Sequence, residues 1–168
     1  EECLHTLALY QPVASDTRFV LAVIKINTDL ERIGDLAAHL AEQAIFLAEE
    51  PETNTALFDF QGSSRRVWSM VKMSLDALVT RDVALAQQVR AADTEVDAAH
   101  RKVYRRVEEE ITKHPHKVRQ LIDLMNISRQ LERIADHAVN IAEDVIFMVT
   151  GEIHRHDAED TDQVPSRR

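Results

Sequence analysis

Two carboxylates one helical turn apart recur along this chain. Leu30–Phe46 reads LERIGDLAAHLAEQAIF and Leu131–Phe147 reads LERIADHAVNIAEDVIF; the two align without a gap at an offset of 101 positions, with ten of seventeen residues identical. Each copy carries the pair Glu-x-x-x-Asp: Glu31 and Asp35 in the first, Glu132 and Asp136 in the second. Between them, Asp93-Thr-Glu-Val-Asp97 supplies a third acid pair at the same spacing. Like charges at i, i+4 weaken a helix by a few tenths of a kcal/mol, so helix stability does not account for the pairs. A lone pair of this kind usually marks only a solvated face. Here the apolar seam keeps its character between the copies, as packing requires, while outer residues are retained as well, including Glu42 and its counterpart Glu143. Four carboxylates on two adjacent helices, Asp93, Asp97, Glu132 and Asp136, form an oxygen-only set suited to hard or borderline cations such as Mg²⁺, Mn²⁺ or iron. Without a cation, such a cluster raises its own pKa values.

The elements that must position these acids are helices. The 168 residues are 45% hydrophobic and 5% aromatic, with three Gly and four Pro, a composition of helix formers. In the first copy Val23, Ile26, Leu30, Ile33, Ala37, Leu40, Ala44 and Leu47 step by threes and fours. In the second copy Leu124, Ile127, Leu131, Ile134, Ala138, Ile141, Val145 and Met148 do the same. Both read as seams of long bundle helices, with the acids outside the seam. A short helix end precedes the break at Gln11–Asp16. A helix with Val67, Val71, Leu75 and Leu78 on one side is expected over about 65–80. Another, with Val89, Ala92, Val96, Ala99 and Val103 as its seam, is expected from about 82 to 113, and Gly151 should end the last helix. Trp68 and the methionines read as core filling. His39 and His137 read as surface or hydrogen-bonding histidines.

The resulting organisation is residues 1–50 as the remainder of a first three-helix repeat, 51–62 as a linker, 63–150 as a second three-helix repeat, and 151–168 as a polar, disordered tail. Subtracting the offset from the second repeat leaves the first one short of about 40 residues at its front. The chain, which opens on Glu1, therefore reads as a fragment of a longer duplicated protein whose exposed α-helical seam should drive dimerisation.

A formal net charge of -9 argues against nucleic acid as the main partner. Cys3 is the single cysteine, so no internal disulfide forms. The apolar run Phe19–Ile26 is interrupted by Lys25 and is too short to span a membrane. No P-loop, nucleophile elbow or zincin motif occurs. A ferritin-like di-iron bundle uses inward-facing Glu-x-x-His on two helices. The middle helix offers a single Asp97-Ala-Ala-His100, so a carboxylate-bridged metalloenzyme, an oxidase or hydrolase, stands as the alternative reading.

Leu30–Asp35, Leu131–His137, Ala138–Glu143, Val149–Glu152, the lead-in Cys3–Arg18, and Arg81-Asp82 followed by the Asp93/Asp97 pair together resemble the PhoU family. The resemblance implies an all-α fold of tandem three-helix bundles related by a pseudo-twofold, the first incomplete here. It implies a multinuclear metal site of iron, manganese, magnesium or zinc on each bundle's outer surface: Asp93, Asp97, Glu132 and Asp136 complete, Glu31 and Asp35 half of the other. The implied role is regulatory rather than catalytic. Such a protein would couple the phosphate ABC transporter ATPase to the phosphate-sensing histidine kinase and repress the starvation response. It would work in the cytoplasm, at the inner face of the membrane without inserting.

Overall fold

A computed structural model describes residues 2–10, 12–49 and 58–152. Among them are five α-helices and no strand: α1 (Glu2–Tyr10), α2 (Ala14–Glu49), α3 (Phe60–Thr80), α4 (Val83–Lys113) and α5 (Val118–Thr150). The expected all-helical class is borne out. The stretch 50–57 and the segment from 153 onward, read above as part of the linker and as the tail, lie outside the described residues.

The caps follow local chemistry. Asp59 accepts from the Gly62 backbone N–H at 2.9 Å and so starts α3 at Phe60, five residues earlier than the apolar period implied. The absence of a side chain at Gly62 leaves room for this carboxylate: a Cβ there would lie 2.1 Å from it, and the Asp59 side chain would have to shift. What read as a linker glycine supplies the backbone N–H on which the cap closes. Arg81, at φ 55°, ends α3 in the left-handed region, and Asp82 caps α4 by accepting from Leu85 N–H at 3.0 Å. Pro115–Lys117 form one 3₁₀ turn between α4 and α5, and Gly151, at φ 78°, closes α5 as its position predicted.

Helices α3, α4 and α5 pack on one another, α2 lies along another side of α5, and α1 touches α2. Lys25 meets Asp144, while Asp29 meets His137 and Asn140. Numbers rising along α2 meet numbers falling along α5, so the two signature helices run antiparallel. All eight seam positions read for α5 are buried. Ala135, Ala138 and Ala142 are fully enclosed and let neighbours approach closely, while Met70, Val89 and Ile146 fill the space between the helices.

The seam read for α2 is corrected. Leu30, Ala37 and Ala44 are exposed, and the covered stripe is Ala22, Ile26, Ile33, Leu36, Leu40 and Leu47. Two apolar stripes adjoin on this helix and α5 covers only one; Asp29 and Gln43 fall within that covered stripe and mask it in the sequence. Trp68 is also not core filling: it is 68% exposed, because Val67 and Met70 already occupy the inward positions of α3.

Two polar links join α2 to α5. Lys25 Nζ donates to Asp144 Oδ1 at 2.5 Å. Burial pushes the Asp144 carboxyl above its ordinary value, and the Lys25 ammonium opposes that rise. Asp29 Oδ1 sits 2.7 Å from His137 Nδ1 and accepts from Asn140 Nδ2 at 3.2 Å. His137 is thus a hydrogen-bonding histidine between the signature helices.

Core position decides mutational cost here. Ile141→Ala, at a fully buried site, is expected to lower the unfolding free energy by about 2–5 kcal/mol. Val79→Ala, at a site 83% exposed, should stay within about 0.5 kcal/mol. Urea denaturation of both variants checks the pair; equal costs would contradict the assigned packing.

Candidate metal centre

The facing sides of α4 and α5 carry the acids. His100 Nδ1 lies 3.0 Å from Ser128 Oγ, which fixes the antiparallel register of the two helices. One turn from that contact, Asp97 on α4 comes beside Glu132 on α5; another turn brings Asp93 level with Asp136. Further along, Arg90 Nε stands 3.4 Å from Glu143 Oε1. The pairs Asp93/Asp97 and Glu132/Asp136 therefore line one seam between two helices.

Their environments differ from the expected solvated face. Asp93 is buried, at 5% exposure, between Val89 and Val96 on the inward side of α4. Asp97 and Glu132 are half-buried and Asp136 is exposed. The placement of Asp93 corrects the reading that the acids stand wholly outside the bundle. The row runs from the interface out to solvent, because the four-residue step between Asp93 and Asp97 carries the chain about 40° around the helix.

The electrostatics show the crowding. Burial, chiefly, holds the Glu132 carboxyl above its ordinary value; the carboxylates of Asp136, Asp97 and Asp93 push the same way, and the Arg129 guanidinium opposes them. Arg101 stands 3.5 Å from Asp97 and partly offsets its charge. Burial lowers the His100 pKa, with Arg129 and Arg101 adding to the fall and Asp97 opposing it. The Ser128 and Arg90 partners were not read from the sequence. Their signal was available in retrospect, since Ser128 lies four residues before Glu132, on the same side of α5.

Glu31 and Asp35 are exposed on α2, Asp35 lying 3.8 Å from Arg32, and neither is among the charges acting on Glu132. The structure does not bring them to the α4–α5 row. Glu42, the counterpart of Glu143, is exposed 3.8 Å from His39.

An oxygen-only donor set with mutually repelling members suits a hard cation. Among the described residues, no three His, Cys, Asp or Glu side chains are gathered closely enough to hold one ion. Holding one would require these carboxylates to turn towards each other.

The raised Glu132 pKa has a stability consequence. A carboxyl whose folded pKa exceeds its unfolded value favours the fold below the unfolded pKa, and that contribution is lost as pH rises through the folded pKa. Glu132→Gln removes the ionisation. In chelator, the variant should unfold at higher urea than the parent at neutral pH, and the gap should close as pH falls below the ordinary carboxylate range. A gap that widens on acidification would contradict the crowding.

Comparison with known proteins agrees with this architecture. The family model for the PhoU domain matches residues 1–44 and 63–145. A Pseudomonas aeruginosa protein named phosphate-specific transport system accessory protein PhoU homolog is 38% identical over 156 residues, 93% of this chain and 64% of its own length. A Deinococcus radiodurans protein of the same name is 37% identical, covering 89% of this chain and 70% of its own length. The chain thus spans just under two thirds of the Pseudomonas aeruginosa relative. The crystal structure of PhoU from Pseudomonas aeruginosa superposes with a TM-score of 0.85 at 38% identity, covering 90% of this chain and 72% of that one. That of the phosphate transport system regulatory protein PhoU from Streptococcus pneumoniae gives 0.79 at 27% identity, covering 92% and 72%. With the paired signature helices packed antiparallel and the family model covering most of its length, the chain belongs to the PhoU family.

Proposed function

We propose that this chain is a metal-binding regulatory adaptor of phosphate homeostasis, and not an enzyme. It would couple a phosphate ABC transporter ATPase to a phosphate-sensing histidine kinase and repress the starvation response. The observation that carries this reading is the likeness, over about nine tenths of the chain, to relatives named as accessory proteins of phosphate-specific transport. The crowded carboxylates around Glu132 support the metal part. Asp93, Asp97, Glu132 and Asp136 would hold the ion, with Glu31 and Asp35 contributing to a second site. Iron, manganese, magnesium or zinc would supply the positive charge that turns repulsion within the row into attraction.

Among the described residues no helix is long and apolar enough to cross a membrane. Work at the cytoplasmic face would therefore be through partners. Phe19 and Leu30 are exposed on one side of α2, an apolar strip that a second copy would cover.

Metal analysis of the purified protein, together with a pull-down from phosphate-replete cells, tests the reading. Bound metal that is lost in Asp93→Asn/Glu132→Gln, with the kinase or the transporter ATPase captured, is the expected result. Metal-dependent turnover with dioxygen would point instead to the carboxylate-bridged enzyme. Absence of metal at any concentration would remove the metal part. Light scattering should give a dimer at micromolar concentration, and a clean monomer would contradict the pairing of copies.

A further inference from the structure

The outer side of α4 has the opposite charge to its α5-facing side. Arg101, Lys102, Arg105 and Arg106 lie within six residues and all are exposed. They line two adjoining grooves that share Ala98, Lys102 and Arg106. One, about 760 Å³, runs to the start of α3, where it is walled by Gln61, Ser63 and Arg66; the other, about 420 Å³, runs on to Glu109. Arg101 and Arg66 already have carboxylate neighbours, Asp97 at 3.5 Å and Glu95 at 3.6 Å. Lys102, Arg105 and Arg106 make no hydrogen bond or ion pair among the described residues. Arg106 bears electrostatically on Glu110, one turn further along α4. In a chain of net charge -9, three adjacent cations along one groove still stand out from the remaining surface.

The floor is apolar. The buried Phe58 and Val103, with Ala98 and Ala99, line the larger groove among the cations. From Glu95 to Glu109 the path is about 21 Å long at the helical rise, room for roughly six or seven extended residues. This geometry selects among anions. A single phosphate would leave the apolar floor uncovered. A long phosphodiester would run into Asp59, Glu95 and Glu109 at the margins. A short segment bearing spaced carboxylates and apolar side chains satisfies both the cations and the floor.

We propose that this groove on the outer face of α4 docks an acidic, partly apolar peptide segment of a partner protein through Lys102, Arg105 and Arg106. The inference is independent of the metal reading, since the groove residues are not those of the acid row.

The test uses the full chain and a fluorescein-labelled peptide of alternating Glu and Leu, followed by fluorescence anisotropy. Lys102→Gln/Arg105→Gln/Arg106→Gln should bind about tenfold more weakly than the parent, and the parent's affinity should fall as salt is raised. Lys72→Gln/Arg119→Gln/Arg133→Gln removes the same charge at exposed sites outside the groove and should cost less than about threefold. All substituted residues are exposed, so circular dichroism should show unchanged melting. Equal loss in the two triple variants, or parent-like binding by the first, overturns the proposal. So does displacement of the peptide by millimolar inorganic phosphate, or by single-stranded RNA at matched charge.

Discussion

The structure depends on the enclosure of α5. Fifteen of its 33 residues are buried, against four of 36 in α2. The helix can be this enclosed because α3, α4 and α2 all pack against it, and because alanines at 135, 138 and 142 bring those neighbours close. A helix covered on so many sides has few places for charge. Its polar residues are confined to the gaps between neighbours, and each gap then concentrates what it holds. Asp144 and His137 fall in the gap towards α2 and meet Lys25 and Asp29; Glu132 and Asp136 fall in the gap towards α4 and meet further acids.

The two gaps resolve their charge differently. On the α2 side each carboxylate finds a donor on the opposing helix: an ammonium for Asp144, an imidazole and an amide for Asp29. These contacts join the two copies of the signature. On the α4 side, Arg90 and Arg101 bear on Glu143 and Asp97 while Glu132 remains crowded by like charge. Leaving like charges together in a partly desolvated seam is unfavourable unless a counterion joins them. That cost is the physical ground for proposing a cation at the acid row, and the surface proposed for a partner, the basic outer face of α4, is made of other residues.

Much of this was legible in the sequence, for identifiable reasons. The α5 seam was read correctly at every position because its apolar period is unbroken and all of it is covered. The α2 seam was misplaced because that helix carries two apolar stripes, and polar Asp29 and Gln43 lie in the covered one. Asp93 could not be recognised as buried from periodicity alone, since a carboxylate there scores as a surface residue. The start of α3 was missed because Gly62 looks like a linker residue until the Asp59 cap is seen above it. The acid pairs were found through repetition. Arg90, His100 and Ser128, each present without a matching second copy, gave no such signal.

Anomalous diffraction from crystals grown with Mn²⁺ is the most direct measurement of the central claim, that confinement of acids between α4 and α5 creates a cation site. The account predicts an anomalous peak in that seam, with oxygens of Asp97 and Glu132 among its ligands. Manganese bound elsewhere, with the seam occupied only by arginine side chains, would contradict it.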